Sequence, residues 1–227
     1  MHDTAETAHV HELLDRLATR VGEEEEYLTE LDSLIGDGDF GVNLHRGLDA
    51  SVEAIDDEDG TVDELVATVG RTLVNEIGGS SGVLLGMATT KASTEFDDHE
   101  LPEAIVEFAI TYRDQIAERG DVSTGQKTLY DVLVPVVDTL EASADRDLSP
   151  AETSASLVEA ARRATMYTAA IRATRGRASY TELRSVGHPD PGAVGLYIML
   201  QEIHEYVQDV TGEEVKPRST EMELFSE

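Results

Sequence analysis

Apolar residues recur at three- and four-residue spacing along nearly the whole chain, and no stretch alternates like a strand beside a turn partner. That periodicity confines the fold to packed helices. Leu13, Leu14, Leu17 and Val21 follow one helix face, and Tyr27, Leu28, Leu31 and Ile35 follow a second short helix or a continuation of the first. Residues 42–55, 62–77, 83–96 and 105–116 each read as helices. Pro135 falls within the pattern at 129–140 and predicts either a kink or a helix start there. Ser149, Pro150 and Glu152 form an N-terminal cap sequence, with a helix expected from there to about Thr174. Asp190-Pro191-Gly192 starts the last helix, which runs to about Val210. Residues 55–60 read as an acidic loop, and residues 211–227 as a polar tail that frays or is disordered. The expectation is an all-α single domain of about eight helices over residues 1–210.

At 227 residues and 40% hydrophobic, the chain can bury one substantial core. Its charge is extreme: 47 acidic against 17 basic side chains, a formal −30. Such a surface repels itself in dilute buffer. In molar salt the Debye length is only about 3 Å, and the repulsion is screened. The balance therefore points to a high-salt cytoplasm, with an acidic partner-binding surface and a nucleic-acid mimic as rival readings. Direct nucleic-acid binding is disfavoured, since phosphate contacts need a basic stripe. The absence of cysteine excludes disulfides and thiolate metal sites. No apolar run approaches the ~20 residues that span a bilayer. Residues 1–12 are polar and acidic, unlike a secretory signal, so the expected location is the cytoplasm.

Glycine-containing connections at 36–41, 78–82, 120–125 and 187–192 interrupt the helices, and connections at one end of a bundle can converge on a common ligand. The first is the sharpest motif. Asp37 and Asp39 alternate with Gly36, Gly38 and Gly41, and Asp32 lies a little over one helical turn earlier. Glycine permits the tight turns, so the three carboxylates can face one point. Hard cations take oxygen ligands, and magnesium commonly bridges carboxylates to substrate phosphates. The spacing lacks the later acidic positions of an EF-hand, and zinc would call for softer ligands. The bland alternative is an acidic turn in an acidic protein.

Other connections offer groups suited to phosphate. Gly78-Gly79-Ser80-Ser81-Gly82 opens an apolar helix, where backbone N–H groups and two hydroxyls can cradle an anion; a flexible turn is the alternative. Gly120 to Thr128 resembles a P-loop but fails as one: Gln126 separates Gly125 from Lys127, and a helix precedes it where a strand is required. Lys127 can still reach phosphate from this turn, or serve as a surface lysine. Between Arg162 and Arg184 six arginines stand against one glutamate, a net +5. Arg177, beside Gly176, is the phosphate candidate among them, whereas Arg162 and Arg163 suit structural pairing. His188 offers a loop imidazole, and Asp190 an N-cap that can face a nucleotide. No serine or cysteine nucleophile stands out, and phosphoryl transfer needs little covalent chemistry from protein.

Taken in order, Leu31-Asp32-Ser33-Leu34-Ile35-Gly36-Asp37-Gly38-Asp39-Phe40-Gly41, Gly78 to Gly82, Gly125-Gln126-Lys127-Thr128, and Gly176-Arg177-Ala178-Ser179-Tyr180 through Arg184 to Ala193 resemble the nucleotide-binding L subunit of dihydroxyacetone kinases. The resemblance extends to about Val210. It implies an antiparallel helical barrel of about eight helices with ADP, transiently ATP, at one end. It implies that Asp32, Asp37 and Asp39 bind Mg2+, as a pair of ions. It implies that Phe40, Gly41, Val42, Asn43, Ser80, Ser81, Gly125, Lys127, Thr128, Arg177, Asp190, Pro191 and Gly192 line the nucleotide. The implied partners are a K subunit that carries dihydroxyacetone covalently on a histidine and an M subunit that bears a phosphohistidine, with the L subunit itself a homodimer.

In the family that this sequence resembles, ATP-dependent members usually fuse the K and L parts, whereas free L subunits usually belong to the phosphoenolpyruvate-dependent system, in which ADP stays bound as a coenzyme. A free L subunit with exchangeable ATP, and a non-catalytic nucleotide-sensing module, are the alternatives. Phe40 departs from the family's Gly-Asp-Gly-Asp-His-Gly loop. It can offer its backbone N–H and cover the base or sugar, but it donates no side-chain hydrogen bond. Thr181-Glu182-Leu183 also departs from the usual Leu-Gly-Glu.

Overall fold

The computed structural model describes residues 3–56 and 60–218. Among these are ten α-helices, one 3-10 segment and no strand. The helices are α1 (Asp3–Glu23), α2 (Glu25–Ile35), α3 (Phe40–Asp56), α4 (Val62–Glu76), α5 (Gly79–Ala92), α6 (Glu95–Asp98), α7 (Glu103–Gly120), α8 (Tyr130–Ala144), α9 (Pro150–Ala170) and α10 (Pro191–Thr211), with the 3-10 segment at Arg177–Ser185. The acidic loop expected at 55–60 and the tail at 211–227 lie partly outside the described residues.

Eight of these helices close a ring. Contacts run from α1 to α3, α4, α5, α7, α8, α9 and α10, and α10 returns to α1. The expected helical barrel is therefore present, with α2 and the single turn α6 as additions. A break at Glu24 makes α2 a separate element. Hydroxyls split the expected helix at 83–96: Ser93 Oγ donates to the Thr90 carbonyl and Thr94 Oγ1 to that of Lys91, both at 3.0 Å. Pro135 sits inside α8 rather than at its start.

The Ser149 cap forms as the sequence predicts. Ser149 Oγ accepts from Glu152 N at 3.3 Å, while the Glu152 carboxylate accepts from Ser149 N at 3.0 Å. The helix it starts ends at Ala170, earlier than expected, because the chain turns extended at Ile171.

Leu14, Val21, Leu28, Ile55, Leu65, Val194 and Ile198 join α1–α4 and α10 in one core cluster, and a second cluster joins α8, α9 and α10. Ring closure is polar as well. Arg16 of α1 donates to Glu202 at 2.6 Å and Asp209 at 2.7 Å on α10, and lies 5.3 Å from the centre of the Tyr206 ring.

Polar contacts join alternate connections of the ring: Arg46 of α3 reaches the Glu76 carbonyl just before α5, Thr174 N donates to Gln126 O, and Arg177 pairs with Asp37. The α2–α3, α4–α5, α7–α8 and α9–α10 connections carry the four glycine motifs, which brings all of them to one end of the barrel.

The α4–α5 crossing is tight. A Cβ on Gly86 would lie 2.4 Å from the Gly70 carbonyl oxygen and 2.7 Å from the Val74 backbone nitrogen. Gly86→Ala should therefore lower stability by about 1–3 kcal/mol through overpacking, despite alanine's better helix propensity. A fall in the urea midpoint checks this; an unchanged or higher midpoint contradicts it.

Candidate functional site

The carboxylate loop is built from the end of α2 and the start of α3. Asp32 is buried, and its Oδ2 accepts from Asp39 N at 3.0 Å and Phe40 N at 3.2 Å. One carboxylate oxygen thereby caps α3 and fixes the turn. Gly36 is required by this geometry, because a Cβ there would fall 2.0 Å from Asp32 Oδ1. Gly38 has a φ of 73°, in the region that favours glycine.

The result is that Asp32, Asp37 and Asp39 each present an oxygen within 4.8 Å of the others. Among the described residues this is the only such grouping of histidine, cysteine, aspartate and glutamate. Desolvation raises the Asp37 carboxyl above its usual range, Asp39 and then Asp32 push the same way, and Arg177 opposes them. Arg177 Nη1 forms an ion pair with Asp37 Oδ2. The site thus carries crowded negative charge and has already drawn in a cation. Three hard oxygen donors without sulfur or imidazole fit Mg2+.

Beside this loop, Arg46 donates from Nη2 to Asn43 Oδ1 at 2.9 Å and from Nε to the Glu76 carbonyl at 3.0 Å. It ties α3 to the turn that starts α5. There Gly78 and Gly79 have φ of 69° and 61°, with open space around each. Ser80 and Ser81 are exposed in the first turn of α5, a setting suited to an anion.

The opposite wall is held by Asp131 and Lys127. The buried Asp131 carboxylate accepts from Gly125 N, and from Thr128 N at 2.8 Å. Gln126 O accepts from Thr174 N at 3.1 Å, which joins this turn to the chain before Arg177.

Lys127 is 1% exposed, and its Nζ donates to the Thr168 carbonyl at 2.6 Å, the Ile171 carbonyl at 3.2 Å and the His188 carbonyl. The expectation that Lys127 reaches phosphate is corrected: the side chain is buried, and three carbonyls occupy the ammonium. Burial pulls that ammonium down to about 8, against the Asp190 and Asp131 carboxylates.

Asp190 caps α10, accepting from Ala193 N at 2.8 Å, while its own N–H donates to Thr168 Oγ1 at 3.0 Å. Burial pushes its carboxyl up to about 7, opposed by the Ala193 N–H and Lys127, with Asp131 and Asp32 adding to the rise.

Three more of the expected lining residues also have packing or capping contacts. The Phe40 N–H is taken by Asp32, and its ring meets α10, since a Cβ on Gly195 would sit 3.3 Å from it. Gly41 is buried, where a Cβ would lie 2.3 Å from the Glu25 carbonyl, so it serves helix packing. Pro191 is buried in the first turn of α10. Val42, Asn43, Ser80, Ser81, Gly125, Thr128, Arg177, Asp190 and Gly192 all keep some exposure at this end of the barrel. Arg162 and Arg163 both clasp Glu159, at 2.9 and 2.8 Å, as structural residues. A groove of about 720 Å³ along α8 and α9 shares Asp131 with this end but is otherwise separate.

Sequence reasoning missed Arg46 and Asp131. Asp131 carried a signal, since Thr128-x-x-Asp131 has capping-box spacing. Arg46 carried only its one-turn separation from Asn43.

Residues 34–205 match the family model described as the DAK2 domain. The chain belongs to that family. It is 37% identical over 195 residues to the ADP-binding subunit DhaL of the PEP-dependent dihydroxyacetone kinase of Escherichia coli K12, covering 81% of this chain and 90% of that one. A Listeria innocua counterpart is also 37% identical, covering 79% and 86%. The L-erythrulose 1-kinase of Mycolicibacterium smegmatis is 35% identical over 79% of this chain, which spans only 32% of that enzyme. Among solved structures, the dihydroxyacetone kinase of C. freundii, in its native form, aligns with a TM-score of 0.70 at 22% identity, over 88% of this chain and 34% of that one. Its complex with AMP-PNP and Mg2+ aligns equally well, at 23% identity. These two structures establish the shared fold.

The Asp190 environment makes a pH prediction. A raised carboxyl contributes stability that is complete below its unfolded value of about 4. That contribution is lost as pH rises through about 7. Asparagine keeps the cap without titrating. Relative to Asp190→Asn, the unmodified protein should lose stability between about pH 4 and 7. Urea midpoints of metal- and nucleotide-free protein at the two ends of that window check this, and parallel curves contradict it.

Proposed function

We propose that this chain is the ADP-binding subunit of a phosphoenolpyruvate-dependent dihydroxyacetone kinase. It works between a phosphohistidine-bearing M subunit and a K subunit that holds dihydroxyacetone, and the product is dihydroxyacetone phosphate. The observation that carries this reading is the set of three carboxylates within 4.8 Å at the glycine-rich end of the barrel. Similarity over 90% of a relative named as an ADP-binding subunit supports the same role.

In this reading Asp32, Asp37 and Asp39 hold Mg2+, as a pair of ions. The N-terminus of α5, with Ser80 and Ser81, receives phosphate oxygens. Arg177 supplies positive charge, and Asn43, Gly125, Thr128 and Gly192 line the nucleotide. Bound Mg-ADP would supply the phosphoryl carrier and the charge neutralisation that this transfer needs. The protein's own task is to bind, orient and exclude water. Asp32, immobilised by two N–H groups, sets the position of the metal ligands.

Exposed apolar groups support partner docking at this end: Tyr180 is 85% and Leu183 73% exposed, both in the 3-10 segment. Self-association as a homodimer belongs to the same reading. The net charge of −30 supports a cytoplasm of high salt as the working environment. No helix among the described residues is long and apolar enough to cross a membrane.

Heat or acid denaturation of the purified protein should release about one ADP per chain, as a retained coenzyme requires. An empty protein that turns over added ATP with the K subunit would favour an exchangeable nucleotide instead. An inability to bind any nucleotide would favour a partner-binding module. Asp37→Ala should abolish Mg2+-dependent nucleotide retention while leaving the helical circular dichroism intact. Retention in that variant would contradict the metal assignment.

A further inference from the structure

The Asp37 carboxylate paired with Arg177 belongs to the same three-carboxylate group that a divalent ion would use. Guanidinium and metal therefore compete for one ligand. We infer that Arg177 is an exchangeable counter-cation of the carboxylate loop: it stands on Asp37 until a divalent ion takes that carboxylate, and it then turns to the phosphate which the ion accompanies. This inference rests on the metal reading of the loop and adds a linkage between cation and phosphate loading.

The three carboxylates are not equivalent in this respect. Asp32 is buried and clamped by two N–H donors. Asp37 and Asp39 are exposed, and of the two only Asp37 has a side-chain cation as partner among the described residues. The exchange thus centres on one carboxylate.

The segment carrying Arg177 suits a side-chain swing on a fixed base. Ala173 and Ala178 pack on Ile35 at the end of α2. Ser185 Oγ accepts from Ala173 N at 2.9 Å, and Gly187 N donates to the Ala169 carbonyl at 2.8 Å. These contacts anchor the segment on either side of Arg177. The Arg177 side chain itself is 65% exposed and has no other ion pair among the described residues. A long, exposed side chain can leave Asp37 without disturbing the backbone.

Energetics favour an exchange rather than a permanent bridge. An exposed ion pair is weak, whereas a divalent ion gathers all three carboxylates at once. Once released, a guanidinium beside phosphate gains a stronger, charge-assisted partner. A cation thereby clears its own ligand and frees the group that receives the anion. Arg177 acts in this as a positioning residue.

The test is Mn2+ binding to protein stripped of metal and nucleotide, followed by paramagnetic resonance, with Mg-ADP affinity measured in parallel by calorimetry. Removing the competitor in Arg177→Gln should tighten Mn2+ binding about two- to fivefold. The same variant should bind Mg-ADP more weakly, and Arg177→Lys should move both values back towards those of the unmodified protein. A residue that only props up the loop would weaken both affinities together, which overturns the inference. Unchanged Mn2+ affinity in a folded Arg177→Gln variant overturns it too, while leaving the metal reading intact. Tighter Mn2+ binding with unchanged Mg-ADP affinity overturns the transfer to phosphate. If neither protein binds Mn2+, the metal reading itself fails, and the inference with it.

Discussion

Three carboxylates held within 4.8 Å of one another repel, and much of the surrounding structure keeps them there. Two backbone N–H groups at the start of α3 neutralise part of the Asp32 charge and fix its orientation. Gly36 and Gly41 let the two helices approach closely enough for those bonds to form, since a side chain at either position would strike Asp32 or the Glu25 carbonyl. Arg177 offsets charge on Asp37 from across the site. The cost of gathering the charge is spread over a helix cap, two glycines and an arginine, and a divalent ion would relieve it further.

The facing wall follows a different logic. Lys127 places an ammonium inside the barrel end, where it gathers carbonyls from the end of α9 and from the loop before α10. Asp131 performs the converse task with a carboxylate, collecting two N–H groups of the glycine turn. Each buried charge is satisfied by backbone groups rather than by a single opposite charge, which offsets desolvation without closing the site. The irregular connections α7–α8 and α9–α10 are thereby fastened to each other, and Asp190 is held at the start of α10.

Features encoded locally were legible in the sequence. Helix positions follow from apolar spacing, the start of α9 from Ser149, Pro150 and Glu152, and the carboxylate loop from aspartates and glycines within a ten-residue stretch. Features set by distant partners were not. A lysine beside a glycine turn looks like a phosphate contact, and only carbonyls 41 to 61 residues away turn it into a structural one. Phe40 occupies a loop position suited to ligand contact, yet Gly195, on a helix far along the chain, leaves the space that its ring fills. Ring closure by Arg16 with Glu202 and Asp209 likewise joins residues nearly two hundred positions apart, with no periodic signal to announce it.

The central claim is that these carboxylates bind a divalent ion against a nucleoside diphosphate. Anomalous diffraction from a crystal grown with Mn2+ and ADP tests it most directly. The account predicts anomalous peaks at about 2.1–2.3 Å from the Asp32, Asp37 and Asp39 oxygens, bridging to phosphate. ADP bound elsewhere, or bound here with no anomalous peak at the three aspartates, would contradict it.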